Sequence, residues 1–130
     1  MDDLDYLQTH VPDFTGYADE DARHATDRRI RAVVGSALAD AQARLGDRLQ
    51  NEVSTALDAL IFRCEFPDQT YVTTWDHEQM DEAKLRVLAR IDRALVEQAG
   101  SVVSAGADEM AGFVAEIDLQ LDHRDDPVPA

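Results

Sequence analysis

The chain has 130 residues, and its 27 acidic residues against 12 basic ones give a formal net charge of −15. This charge repels nucleic-acid phosphates and anionic lipid headgroups, so we expect no nucleic-acid binding. The only cysteine is Cys64, which excludes an intrachain disulfide and a multi-cysteine zinc site.

The amino terminus and the apolar runs indicate where the protein resides. Residues 1–5 lack the basic region and apolar core of a signal peptide, and no run approaches the ~20 apolar residues of a membrane span. We therefore predict a cytoplasmic protein without a membrane span. The length fits a single helical domain over residues 1–130.

The first 18 residues predict a short helix followed by a turn. Leu4, Leu7 and Val11 would share one side of a helix over residues 3–11, which Pro12 ends because it cannot donate the next backbone hydrogen bond. In the turn that follows, the aromatic rings of Phe14 and Tyr17 are expected to pack back onto the domain.

From Asp19 onward, apolar residues recur at steps of three and four and predict a first long helix. These residues are Ile30, Val34, Ala37, Leu38, Ala41 and Leu45. Arg23, Asp27 and Arg31 are successively four residues apart, so we expect them to pair on the solvent side of this helix.

Gly46 and Asp47 mark a stop and a restart. Glycine suits the left-handed position after a helix, and Asp47 with Gln50 resembles a capping box for a second helix that ends near Cys64. However, the apolar spacing keeps its phase through the glycine. A single helix over residues 19–65 is therefore the alternative.

The remainder of the chain predicts a loop, two helices and a tail. Residues 66–75 form a connecting loop, and Asp76 with Gln79 can cap the third helix. The small residues of 99–107 either break that helix or let another backbone approach, and Asp108 can cap the last one. We expect residues 122–130 to fray as an acidic, proline-containing tail.

Together these elements predict an all-α fold, namely an antiparallel four-helix bundle. If neither glycine-containing break is real, the alternative is a long helical hairpin that dimerises into a four-helix bundle.

Reactive side chains are concentrated around the central loop, at Cys64, Asp76, His77 and Glu78. Cysteine with histidine can form a nucleophile and its base, and histidine with carboxylates can bind a metal. Their spacing fits no defined signature, and helix capping explains the carboxylates while Cys64 continues an apolar stripe. We therefore assign no catalytic residue, metal site or cofactor.

One segment carries a family resemblance. Pro12, Phe14, Gly16, Tyr17 and the following residues Arg23, Asp27, Arg28 and Arg31 are arranged in an order that resembles the opening of a group of uncharacterised small helical prokaryotic proteins. The resemblance covers residues 12–31 and implies an all-helical fold, without implying an activity.

Three functional hypotheses follow. The first is a non-enzymatic module that binds a partner protein or itself, with Tyr71 and Trp75 as candidate contact residues because aromatic side chains are common in binding hot spots. The second is an acidic inhibitor or immunity-type protein that binds a basic protein surface. The third is a metal- or thiol-dependent enzyme that uses the cluster around Cys64.

Overall fold

The structure is a computed structural model that describes residues 2–66 and 81–125. This part of the chain is all-helical. Its α-helices are α1 (Asp3–His10), α2 (Glu20–Leu45), α3 (Asn51–Glu65), α4 (Glu82–Val102) and α5 (Met110–Asp125), with a 3₁₀ turn at Gly46–Arg48. The all-helical prediction is confirmed for the described residues.

The amino-terminal helix and turn pack against the long helices. Leu7 and Val11 are both buried, whereas Leu4, which was predicted on the same side of the helix, is half exposed. The Thr26 hydroxyl of α2 donates a hydrogen bond to the Gly16 carbonyl (2.7 Å), and Gly16 itself has a φ of +73° that suits glycine. These contacts hold the turn and bury Tyr17 against the core.

The junction between α2 and α3 excludes the single helix over residues 19–65. Helix α2 ends at Leu45, Gly46 takes a φ of +47°, and Leu49 and Gln50 are extended before α3 begins. The predicted capping box is wrong in detail, because Asp47 lies in the 3₁₀ turn and the residue before α3 is Gln50, whose side chain makes no capping hydrogen bond. The chain therefore reverses near Gly46, and the long hairpin is not formed.

The second break begins within the predicted run of small residues, 99–107, but not at Gly100. Helix α4 continues through Gly100 to Val102, because glycine in a helix costs only about 1 kcal/mol relative to alanine. In the turn that follows, the Glu109 side chain rather than that of Asp108 accepts a hydrogen bond from the Gly106 amide (2.9 Å). At the other end of α4, Asp81 caps the helix by accepting from the Lys84 amide (2.8 Å).

Contacts between the four long helices define their order and direction. Helix α2 packs against α3 and α4, and α5 packs against the same two helices. Gln42 bonds to Asp58 and Gly35 faces Cys64, so α2 and α3 are antiparallel. Arg63, near the end of α3, contacts residues in the last two turns of α5, so those two helices run in parallel.

The core has two chemically different ends. Within residues 2–66 and 81–125, every buried charged residue lies in the first half of α2, near the end of α5, or on the neighbouring turn of α4. These residues are Arg23, Asp27, Arg31, Asp92 and Arg124. The opposite end is filled by aliphatic side chains, including Leu38, Leu45, Val102 and Met110. We call these the ionic end and the apolar end.

Among the described helices, none has the length and apolarity needed to cross a membrane.

Candidate functional site

The ionic end contains a continuous chain of hydrogen-bonded side chains, one neutral tyrosine and six charged residues, that joins all four long helices. In order, the members are Tyr17, Asp92, Arg124, Asp27, Arg31, Asp125 and Arg63. Three carboxylates alternate with three guanidinium groups, so the formal charges balance. A balanced and hydrogen-bonded arrangement is the condition under which charges are tolerated in a protein core.

Arg124 lies at the centre of this chain and has no solvent exposure. Its Nε and Nη2 donate to the two carboxylate oxygens of Asp92 at 2.6 and 3.2 Å. Its Nη1 donates to Oδ1 of Asp27 at 2.6 Å. The Tyr17 hydroxyl completes the shell by donating to Oδ2 of Asp92 at 2.6 Å. Arg124 therefore fixes α5 to α2 and α4 simultaneously.

The series of ion pairs then continues from α2 through α5 to α3. Arg31 donates through Nε to Asp27 and through Nη2 to Asp125, both at 3.0 Å. The other oxygen of Asp125 accepts from Nη2 of Arg63 at 2.9 Å. Asp125 thereby links two arginines on different helices, and the last turn of α5 is held from two sides.

Burial and charge set the protonation states in this chain. Burial raises the pKa of the Asp92 carboxyl, an effect that Arg124 opposes. Burial alone would lower the pKa of the Arg124 guanidinium, but the carboxylates of Asp92 and Asp27 reverse this and raise it. Burial and the negative charge of Asp92 raise the pKa of the Tyr17 hydroxyl well above its usual range. Arg124 is therefore a permanent cation and Tyr17 a neutral donor.

These positions correct two predictions. Arg23, Asp27 and Arg31 are buried rather than on the solvent side of α2, although Asp27 and Arg31 do pair at the predicted spacing. The expected fraying from residue 122 does not describe residues 122–125, which belong to α5 because Arg124 and Asp125 are bound there. Residues 126–130 lie outside the described residues.

The sequence contained a signal for this buried chain that periodicity searches overlook. Arg124 follows Ile117 and Leu121 on the same helical stripe, and Asp92 lies between Leu88 and Leu95. A charged residue that continues an apolar stripe is the signal. It becomes decisive only when opposite charges on other helices are known to meet it.

Cys64, the described member of the predicted reactive cluster, is a buried side chain of α3. Only 5 % of its surface is exposed, and a Cβ on Gly35 of α2 would meet its Cβ at 3.0 Å. Burial raises the pKa of the thiol to about 11, although Arg31 and Arg63 oppose the shift. The thiol is therefore protonated at neutral pH, which disfavours a nucleophilic role.

The other predicted site residues belong to the segment of the sequence between α3 and α4. Tyr71, Trp75, Asp76, His77 and Glu78 lie outside the described residues. Within residues 2–66 and 81–125, no group of three or more histidine, cysteine or carboxylate side chains is placed to hold a metal ion.

An open groove between α3 and α5 offers a different kind of site. Its walls carry the exposed alanines Ala56 and Ala59 of α3 and Ala111 and Ala115 of α5. Buried Leu60 and Val114 form the floor, and the groove volume is about 590 Å³. Because alanine side chains are short, another backbone can approach these two helices closely.

Outside the groove, α3, the residue after it and α5 carry larger exposed apolar side chains. Phe62 lies three residues after Ala59 on α3 and is 48 % exposed. Its ring contacts that of Phe66 at a tilt of 38°, with ring centroids 4.9 Å apart. On α5, Leu119 lies four residues after Ala115 and is 47 % exposed. We call the groove together with these three side chains the α3–α5 face. Clustered exposed apolar side chains are typical of interaction surfaces.

A larger cavity of about 780 Å³ lies between the amino-terminal segment and α4. Its lining includes Tyr17 and Leu85, and Arg86 at its edge pairs with Glu82 of the same helix. The Tyr17 hydroxyl is already bound to Asp92. The charged side chains that line this cavity are Asp2, Asp3, Glu82, Arg86 and Arg90.

No protein-family model, curated protein or solved structure matches this chain. The resemblance of residues 12–31 to small helical prokaryotic proteins therefore stays a prediction. Four residues of that segment, Tyr17, Arg23, Asp27 and Arg31, are buried at the ionic end.

Proposed function

We propose that this protein is a non-enzymatic interaction module whose four long helices form a four-helix bundle and whose α3–α5 face binds a helix of a partner protein. The observation that carries the proposal is the open, alanine-walled groove between α3 and α5. The ring of contacts in which each long helix packs against two others supports the bundle.

The dimensions of the groove support a helical partner. Helix α3 has 15 residues and is therefore about 22 Å long, which matches roughly four turns of a bound helix. Side chains of a helix at steps of three and four would enter between Ala56 and Ala59 on one wall and Ala111 and Ala115 on the other. The exposed rings of Phe62 and Phe66 add aromatic area beside the groove.

The ionic end supports a structural rather than a catalytic role for the charged core. Arg124 and Asp92 are fully buried and satisfy one another, so neither presents a free functional group to a substrate. Their contribution to binding is indirect, because they hold α5 in register with α2 and α4 and so maintain one wall of the groove.

A photo-cross-linking experiment tests the proposal. Benzoylphenylalanine would replace Ala59 or Ala115 in the groove, and Ala43 would carry the same group as a matched control, since it is an exposed alanine on the outer side of α2. In the native cells, we expect one discrete heterologous adduct from each groove position and none from Ala43. The added substitution Ala111→Arg should suppress the adduct formed at Ala59.

The result would contradict the proposal if the three positions gave the same adducts, or if Ala111→Arg changed nothing while the protein stayed folded. An adduct between two copies of the chain would show that the groove mediates self-association and does not bind a partner protein. The acidic-inhibitor hypothesis rests on net charge alone and predicts cross-links that do not centre on the groove.

A further inference from the structure

We infer that the helix accepted by the α3–α5 face is a basic amphipathic helix, with small apolar residues along one side and arginine or lysine residues about three turns apart. This inference rests on the proposed function and specifies the chemistry of the partner. It follows from the charges at the two ends of the groove, where the walls are apolar but the rim is acidic.

One end of the groove is bounded by Glu52, an exposed residue in the first turn of α3. The other end is bounded by Arg63 and Asp118. Glu52 and Arg63 are 11 residues apart on α3, which corresponds to about 16 Å along the helix. Two separated polar positions therefore frame the apolar surface.

The Arg63 end is negative toward solvent although it contains a cation. Arg63 donates to Asp118 at 2.8 Å and contacts Asp122 and Asp125 at 2.9 Å, so three carboxylates surround one guanidinium group. The side chain of Arg63 is only 17 % exposed, whereas those of Asp118 and Asp122 are 56 % and 61 % exposed. A ligand that reaches this end meets carboxylates before it meets the cation.

Charge complementarity therefore selects the occupant. A helix in the groove would place one cation beside Glu52 and a second beside Asp118 and Asp122 when its basic residues are about 11 positions apart. A second copy of this chain is disfavoured, because each copy carries a net charge of −15 and repels the other.

The test uses three helical peptides of 18 residues, held helical by side-chain lactam bridges and carrying the same alanine and leucine stripe. They differ only at two flanking positions 11 residues apart, which are both arginine, both glutamine or both glutamate. Binding to the full-length protein is measured by fluorescence anisotropy at low and high salt.

We expect the arginine peptide to bind at least about tenfold more tightly than the glutamate peptide at low salt, with the glutamine peptide between them. The difference should shrink at about 0.5 M salt, because screening weakens charges that are exposed to solvent. Ala59→Arg should weaken the arginine peptide by about tenfold or more, because it fills the groove and adds a like charge.

The matched control is Ala43→Arg, which adds the same charge on the outer side of α2 and should change affinity by no more than about twofold. Circular dichroism and thermal unfolding establish that both variants are folded. Because both alanines are exposed, we expect neither substitution to lower the unfolding midpoint appreciably.

The other outcomes overturn the inference in distinguishable ways. Equal affinity for the arginine and glutamate peptides would reject the inference that the partner helix is basic. The proposed function would stand if Ala59→Arg still weakened the binding of both peptides. Failure of all three peptides to bind, with discrete cross-links from Ala59 and Ala115, would likewise reject this ligand class alone. Failure of both binding and cross-linking would reject the proposed function as well.

Discussion

The two ends of the core are built from the same helices but are held together by different forces. At the apolar end, Leu38, Leu45, Val102 and Met110 pack with little or no exposed surface. At the ionic end, Arg124 binds Asp92 and Asp27 in an equally buried place. Aliphatic packing is non-directional, whereas a buried guanidinium group needs its carboxylates at defined distances and angles.

The two ends of the core therefore make different contributions to the stability of the fold and to the positions of its helices. Removing aliphatic surface from water drives folding and tolerates other side chains of similar volume. A buried ion pair contributes less net free energy, because desolvation offsets much of the attraction, but removing one partner leaves a charge in the core. We therefore expect the apolar end to provide stability and the ionic end to fix the register of α2, α4 and α5.

The largest effect is expected at Arg124. Arg124→Ala should lower the free energy of unfolding by about 3–5 kcal/mol, because Asp92 would lose its guanidinium group in a fully buried position. Urea denaturation measures this loss. Arg86→Ala is the control, since the Arg86–Glu82 pair is 69 % and 87 % exposed and should contribute less than about 1 kcal/mol.

The apolar end should respond to volume rather than to chemistry. Leu38→Ala should lower the free energy of unfolding by about 2–5 kcal/mol, whereas Leu38→Met should cost less than about 1.5 kcal/mol. Arg124→Met, by contrast, should retain most of the loss seen for Arg124→Ala. Similar tolerance of methionine at positions 38 and 124 would contradict the distinction between the two ends.

Cys64 lies close to the ionic end and gives a pH-dependent effect. Burial raises the pKa of the Cys64 thiol from 9.0 to about 11. The protonated thiol therefore contributes fully to the stability of the folded state below pH 9, and this contribution is lost as the pH rises through 11. The full contribution is about 3 kcal/mol. Between pH 9 and 11 the wild type should therefore lose more stability than Cys64→Ala, as measured by urea denaturation.

The same shift predicts slow thiol chemistry. At pH 8, a thiol reagent should modify folded Cys64 about 100-fold more slowly than the thiol in urea, because the thiolate fraction is smaller in the folded state. A folded thiol that reacts faster than the unfolded one would revive the thiol-dependent hypothesis.

The smallest effects concern two glycines that differ in their surroundings. Gly35→Ala should destabilise by about 1–3 kcal/mol, because its new Cβ would meet the Cβ of Cys64 at 3.0 Å. Gly100→Ala should stabilise by about 0.5–1 kcal/mol, since nothing lies within 4 Å and alanine favours the helix. Equal effects of the two substitutions in thermal unfolding would show that α2 and α3 do not approach closely at Gly35.

Much of the local structure follows from the sequence. Apolar residues at steps of three and four locate the helices, and Gly46 marks the end of α2, because these signals act within a few neighbouring residues. The helix that continues through Gly100 shows the limit of such rules. At this position, the packing of Ala99 and Val102 in the core outweighs the low helix propensity of Gly100.

By itself, then, the sequence determined an acidic, all-helical chain and the approximate bounds of its helices, because periodicity and chain-breaking residues are local. Tertiary structure decided which charged residues meet as partners in the core. Asp27 and Arg31 have the same spacing as a solvent-exposed pair, and they become core residues only because Arg124 arrives from a helix 97 positions away. The tertiary structure also decided that the exposed alanines of α3 and α5 face one groove, since no local signal relates Ala59 to Ala115.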